Sequence, residues 1–213
     1  GTTLMSIWNG KWDYHSQDMF DERTDRALHD QSLFARDGGP LDPDSERVVY
    51  IKKIFDWFKG KSYLEVGCGF GRWSDILKDY YTNYTGVDPT KARIEYALKT
   101  YETSRAKFQH IGDGWNLYEN FDVIFCFAVI QHLTMPDTIA LLKCIVKHMH
   151  EDTKVILYEG RLGWFTEEEA EELYASEKCS NHMIYKPIGI LEMEVPELKW
   201  RQINPLTYVL VRS

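Results

Sequence analysis

The run Tyr63-Leu64-Glu65-Val66-Gly67-Cys68-Gly69-Phe70-Gly71-Arg72-Trp73 decides the fold of this chain. Residues 62–66 predict a short buried strand, the glycine cluster a sharp turn, and residues 72–81 a helix. Glycines placed between a strand and a helix let the backbone turn tightly and approach a ligand closely, because any Cβ there collides with it. Taken alone, such a loop is weak evidence, the alternative being a tight turn with no ligand. Spacing separates the possible cofactors. A dinucleotide fingerprint, G-x-G-x-x-G, places its third glycine at position 72, which is occupied by Arg72. The third glycine here is Gly71, one position early, which disfavours a nicotinamide cofactor.

Outward from this run the same strand, turn and helix pattern repeats. Strands are predicted over 84–87, 106–111, 121–127 and 154–158, with helices over 91–101, 136–149 and 166–176. The last helix opens with a capping box, Thr166 and Glu169. Upstream, residues 17–34 have helical character. Ser45 is placed to N-cap a stronger helix on which Val48, Ile51, Ile54, Phe55 and Phe58 recur at helical spacing, ended by Gly60. Downstream, 198–203 and 206–211 are strand-like and joined at Asn204-Pro205. Alternating strands and helices predict a parallel sheet covered on both faces, and the near-continuous apolar run 121–127 suits a strand buried within it. A tight turn cannot make a parallel crossover, so the final pair is expected to be antiparallel. The expected fold is an α/β three-layer sandwich. It has a mostly parallel seven-stranded sheet, the last strand antiparallel, and an N-terminal helical extension, residues 1–42, ahead of the domain 43–213.

Charge and composition narrow the function. The 213 residues carry a formal net charge of −8, which argues against a nucleic-acid backbone as main partner, since such proteins need a basic stripe. The longest apolar stretch, 123–130, is far too short to cross a bilayer. The opening residues show no basic-then-apolar signal, and Cys68, Cys126, Cys144 and Cys179 are widely spaced without a CxxC pair. Free thiols in the cytoplasm are the expectation, with no disulfide framework and no zinc site. His148 and His150, two apart near a predicted helix end, have the wrong spacing to share one metal from one face, so no metal is assigned.

The pattern Glu65-x-Gly67-x-Gly69-x-Gly71 resembles motif I of the class I, Rossmann-like S-adenosylmethionine-dependent methyltransferases of the small-molecule type. The resemblance extends at motif level over residues 62–158, and the C-terminal hairpin suits the family's final antiparallel strand. It implies S-adenosylmethionine as cofactor and S-adenosylhomocysteine as product. Gly67, Cys68, Gly69 and Gly71 then form the loop around the methionine part, whose ammonium Glu65 orients. Asp88, followed by Pro89, stands 21 positions after Gly67, near the roughly 20 expected of a carboxylate that accepts from both ribose hydroxyls. Asp113 and Gly114, in Gly112-Asp113-Gly114, correspond to the adenine-contacting segment. Phe127 and Ala128 border the sulfonium and its methyl. Asp88-Pro89 and Gly-Asp-Gly are each ordinary turn chemistry in isolation. Three such signals at three successive strand ends gain weight together, because ligands in such sheets bind outside the carboxyl ends of the strands.

Methyl transfer from a sulfonium is an in-line displacement, and much of its acceleration comes from positioning the acceptor. A general base is needed only where the acceptor holds a proton. His132 is the candidate, an imidazole suited to that work near pH 7 or else a packing group. Residues 159–164 predict a flexible, mixed-charge, aromatic loop on the active-site edge, where Arg161 and Trp164, together with Gln131, are candidate substrate contacts, Arg161 for an anionic group; a solvated Arg161 and a solvent-facing Gln131 are the alternatives. Trp12, Tyr14 and His15 belong to an N-terminal stretch read as a lid or as an aromatic patch. The leading expectation is methyl transfer to an N or O atom of a small-molecule acceptor. The Asn/Asp-Pro-Pro-aromatic signature of exocyclic-amine enzymes, the Pro-Cys nucleophile and the paired glutamates of arginine methyltransferases are all missing from the loop that directly follows the strand 121–127. The alternatives are a methyltransferase for RNA or protein, or a non-catalytic scaffold that keeps the cofactor fold. Oligomeric state is not legible.

Overall fold

The computed structural model describes residues 17–111, 117–176 and 185–213. In chain order the elements are α1 (Gln17–His29), α2 (Gln31–Asp37), α3 (Glu46–Phe55), β1 (Lys61–Val66), α4 (Arg72–Ile76), β2 (Tyr81–Asp88), α5 (Lys91–Tyr101), β3 (Ala106–His110) and β4 (Phe121–Phe127). They continue as α6 (Met135–Val146), β5 (Met149–Tyr158), β6 (Leu162–Gly163), α7 (Glu167–Ser176), β7 (Lys186–Pro187), α8 (Ile188–Glu194), β8 (Leu198–Asn204) and β9 (Thr207–Arg212). Seven strands form one helix-flanked sheet ordered β3-β2-β1-β4-β5-β9-β8, in which β9 runs antiparallel to both its neighbours. This is the expected mostly parallel sheet. The described residues divide within β4 into two compact units, residues 17–125 and the described residues from 126 onward.

In the first unit β1 pairs in parallel with β2 (Tyr63 opposite Tyr84) and with β4 (Tyr63 opposite Val123). Ser62 and Asp122 set the start of that register reciprocally. The Ser62 amide donates to Asp122 Oδ2 at 3.0 Å, and the Asp122 amide donates to Ser62 Oγ at 3.0 Å. Phe55 packs its ring 5.1 Å from Phe125 and 5.3 Å from Tyr63, so α3 is anchored through the apolar stripe expected of it. Val48, Ile51 and Phe55 are the buried members of that stripe, and each such side chain contributes roughly 1.5–3 kcal/mol on burial. Ser45 caps the helix as expected, accepting from the Val48 amide.

In the second unit β9 pairs with β5 (Leu157 opposite Tyr208) and with β8 (Trp200 opposite Leu210). Tyr208 and Leu210 are fully buried. The Thr166–Glu169 capping box opens α7, with the Glu169 amide 3.1 Å from Thr166 Oγ1.

Several local expectations change. The helix predicted over 72–81 stops at Ile76, because Tyr81 is drawn into β2 and its hydroxyl donates to the Ser74 carbonyl. Residues 17–34 are two helices, separated by Asp30, which N-caps the second. The helix predicted to run to residue 149 ends at Val146, and His150 lies on β5. The helix closed by Gly60 ends instead at Phe55, followed by a 3-10 turn over Asp56–Phe58. α8 went unpredicted. Among the described residues no helix is long and apolar enough to cross a membrane.

Candidate functional site

The glycine loop joins β1 to α4 in the first unit. Its base is tied to β2, since the Gly67 and Cys68 amides both donate to the Val87 carbonyl, at 2.8 and 3.0 Å. Gly69 (φ +57°) occupies the left-handed region, where a Cβ would meet nothing closer than the Arg93 Nη1 at 3.7 Å, so its outer face is open. Gly71 (φ +89°) does the opposite work. A Cβ there would lie 2.8 Å from Phe108 and 2.9 Å from Ala97, so only glycine lets the loop close against α5 and β3.

Asp88 ends β2 and holds this loop in shape. Its Oδ2 accepts from the Gly69 amide at 2.9 Å and its Oδ1 from the Thr90 amide at 2.8 Å. An ionised carboxylate offers about four lone-pair positions, so each oxygen keeps acceptor capacity beyond these two bonds. Glu65 is 2% exposed, and its Oε1 accepts from the Tyr84 hydroxyl at 2.6 Å. Burial pushes its carboxyl up to about 8, with the Tyr84 hydrogen bond and the Arg72 and Arg47 charges pulling the other way. The Cys68 thiol is buried and pushed well above its ordinary range, chiefly by burial and then by the neighbouring Asp88 charge, so it is a packing group. Pro89 is exposed, and its carbonyl accepts from His110 Nε2 at 2.9 Å.

The second unit contains a 3-10 turn, Ile130–His132, that carries two of the predicted residues. The chain enters it through Ala128, whose φ of +57° is unusual for a residue with a Cβ and costs roughly 1–2 kcal/mol. Glu159, 1% exposed, caps the turn, its Oε1 accepting from the Val129 and Ile130 amides at 2.9 and 3.0 Å and its Oε2 from Gln131 at 3.2 Å. Lys186, fully buried, donates from Nζ to the Ile130 carbonyl at 2.8 Å. A carboxylate at the amide end and an ammonium at a carbonyl complement the turn's own dipoles. Burial pushes the Lys186 ammonium down to about 7 against the pull of Glu159, and burial raises Glu159 to about 7 against its three amide bonds.

This overturns one expectation. Residues 159–164 are not the flexible, mixed-charge loop that the sequence predicts. Instead Glu159 is an interior cap, and Leu162–Gly163 bridges in parallel to Lys186–Pro187. Arg161 (φ +61°) is half-buried with its guanidinium 5.8 Å from the Tyr185 ring centre. Trp164 is half exposed and donates its indole N–H to Glu192 Oε1 at 2.7 Å. Gln131 and His132 are half-buried neighbours on the turn. Phe127 is buried with its ring edge-on to Tyr158. Asp113, Gly114, Trp12, Tyr14 and His15 lie outside the described residues. Sequence reasoning missed Lys186 altogether. A single lysine carries no pattern that distinguishes a surface group from a buried one, and only the approach of β7 to the turn reveals it.

A glycine loop after β1, an acid ending β2, and this strand order with one antiparallel strand define the Rossmann-like α/β class. A family model described as a methyltransferase domain matches residues 46–196, and the chain belongs to that family. Among curated proteins it is 29% identical over 102 residues to the mitochondrial ubiquinone biosynthesis O-methyltransferase of Schizosaccharomyces pombe, covering 44% of this chain and 37% of that one. The chain spans about half or less of the length of the curated relatives it matches. Among solved structures, a DhpI-SAM-HEP complex superposes with a TM-score of 0.63 at 15% identity, covering 91% of this chain and 95% of that one. The magnesium protoporphyrin IX methyltransferase ChlM from Synechocystis, with bound SAM, gives 0.60 at 12%, over 92% and 97%. At these identities the two structures speak to fold alone.

Proposed function

We propose that this domain transfers a methyl group from S-adenosylmethionine to an N or O atom of a small-molecule acceptor. The observation that carries the reading is the hydrogen bond from the Gly69 amide to Asp88, which sets an open, left-handed glycine loop beside an acidic strand end. These residues fit the cofactor. Gly67, Cys68, Gly69 and Gly71 cradle its amino-acid end with main chain, Glu65 orients the ammonium, and Asp88, with Pro89 beside it, keeps acceptor capacity on both oxygens for two ribose hydroxyls. Asp113 and Gly114 are assigned to the adenine on sequence alone, and Phe127 and Ala128 to the sulfonium end. When bound, the cofactor supplies an electrophilic methyl and its own leaving group. The protein's part is to orient the acceptor and to take a proton where the acceptor holds one, for which His132 is proposed, with Gln131, Arg161 and Trp164 as acceptor contacts and the N-terminal segment, including Trp12, Tyr14 and His15, as cover.

A small-molecule acceptor is supported by the names of the curated relatives, ubiquinone biosynthesis O-methyltransferases, and by the missing macromolecule-specific motifs. A cytoplasmic location is proposed on the cysteines Cys68 and Cys144, neither of which is in a disulfide. The test is calorimetric titration with S-adenosylhomocysteine, with NAD as control. Saturable binding of S-adenosylhomocysteine alone is expected. Binding of neither overturns the reading in favour of a scaffold, and binding of NAD alone overturns it in favour of an oxidoreductase.

A further inference from the structure

His132 is held by a chain of hydrogen bonds whose direction is fixed at its far end. The Gly160 amide donates to Gln131 Oε1 at 2.8 Å. An N–H needs an acceptor, and in a carboxamide only the oxygen accepts, so the Gln131 NH2 must face the other way. It lies 3.3 Å from His132 Nε2. The amide nitrogen is a donor only, so the ring nitrogen it meets must carry a lone pair rather than a hydrogen. The anchor of this chain is itself hydrogen-bonded on both sides. Gly160 follows directly on Glu159, whose carboxylate grips the amides of Val129, Ile130 and Gln131, while Lys186 holds the Ile130 carbonyl.

We infer that Gln131 is a positioning residue that holds His132 as the neutral tautomer protonated at Nδ1, with its lone pair at Nε2. Free histidine in water favours the opposite tautomer, so the protein must impose this one. The consequence names the atom at which proton transfer occurs. An acceptor's O–H or N–H bond breaks, a new Nε2–H bond forms, and the Gln131 hydrogen bond to that nitrogen is lost in the same step. Before that moment the amide opposes protonation of the ring, since an imidazolium presents N–H to NH2, donor against donor. Gln131, proposed above as an acceptor contact, thus also acts through His132.

The use of this tautomer in turnover rests on the proposed methyl transfer, whereas its existence does not. The experiment is nitrogen-15 NMR of histidine-labelled protein at neutral pH, with the His132 signals assigned by their loss in His132→Gln. A pyridine-type Nε2 and a pyrrole-type Nδ1 are expected. Gln131→Glu puts an acceptor opposite Nε2 and is expected to turn that nitrogen pyrrole-type. Gln131→Met, which keeps volume without a donor, is expected to shift the ring toward the tautomer of free histidine. A pyrrole-type Nε2 in the parent overturns the inference, and so does a pyridine-type Nε2 that persists in both variants. The parent spectrum alone decides the tautomer should the variants not fold. If acceptor methylation is observed, Gln131→Glu lowers kcat about tenfold or more with affinity for S-adenosylhomocysteine unchanged. A protein that binds no S-adenosylhomocysteine defeats the proposed function and leaves the tautomer result standing.

Discussion

Asp88 shows how one side chain can hold a loop and keep acceptor capacity to spare. Its two backbone bonds hold Gly69 and Thr90 in place, and each oxygen keeps a further lone pair, the capacity proposed for the ribose diol. Hydrogen bonds to a charged acceptor are each worth roughly 1.5–3 kcal/mol, so Asp88→Ala is expected to weaken S-adenosylhomocysteine binding by about 100-fold or more. Calorimetry on a variant that still melts cooperatively checks this, and parental affinity would remove Asp88 from the ribose. Glu65 makes a different demand. Its folded carboxyl is raised to about 8, so between the ordinary carboxylate range and pH 8 the folded state holds a proton that the unfolded state has released. Stability contributed by this group is therefore full at acid pH and falls as pH rises through that window. Glu65→Gln removes the titration, and the variant's Tm is expected to vary less between pH 5 and 8 than the parent's, in cofactor-free protein. For a chain of this size about 2–4 °C corresponds to 1 kcal/mol. Parallel Tm curves for the two proteins would show that Glu65 does not titrate there.

At the scale of elements, the turn Ile130–His132 has only three residues and too few internal hydrogen bonds to hold itself. It persists because β5 delivers Glu159 to its amide end and β7 delivers Lys186 to a carbonyl. Glu159→Gln keeps the shape of the side chain but turns one acceptor oxygen into a donor facing an amide N–H. A loss of about 1–3 kcal/mol is expected by urea denaturation with an unchanged m-value. A loss below about 0.5 kcal/mol would mean that the turn is held by packing instead. The same element logic explains α4. Five residues are all that remain of a longer predicted helix once Tyr81 is taken by β2.

At the scale of the molecule, the net charge of −8 bears on partners rather than on fold. Non-specific nucleic-acid binding at physiological salt typically lies between about 10⁻⁴ and 10⁻⁶ M and depends on displaced counterions. Fluorescence anisotropy with a random-sequence RNA is expected to show no saturation up to about 100 μM protein at 0.15 M salt. Saturable binding with a steep salt slope would favour an RNA acceptor. The final hairpin belongs to this scale too, because β9 inserts between β5 and β8, placing Tyr208 and Leu210 at the interior of the sheet.

Hydrophobic periodicity and glycine spacing are local, and what they encode was legible in the chain. Strand β4 and helix α5 fall on the predicted residues, the three glycines and Asp88 fall at strand ends, and Ser45 and Thr166 cap the helices they precede. Boundaries such as the end of α4 were not legible, since they depend on which neighbouring strand claims the residue. Nor was the inner side of the 159–164 segment. Glu159 and Gly160 lie about thirty positions from the turn they hold, and Lys186 farther still. A buried glutamate and a buried lysine look like surface residues in a linear chain, because burial of a charge is stabilised only by partners that packing brings to it. The tautomer of His132 is the extreme case. It depends on the direction of two hydrogen bonds, and those exist only after β5 and the turn have met.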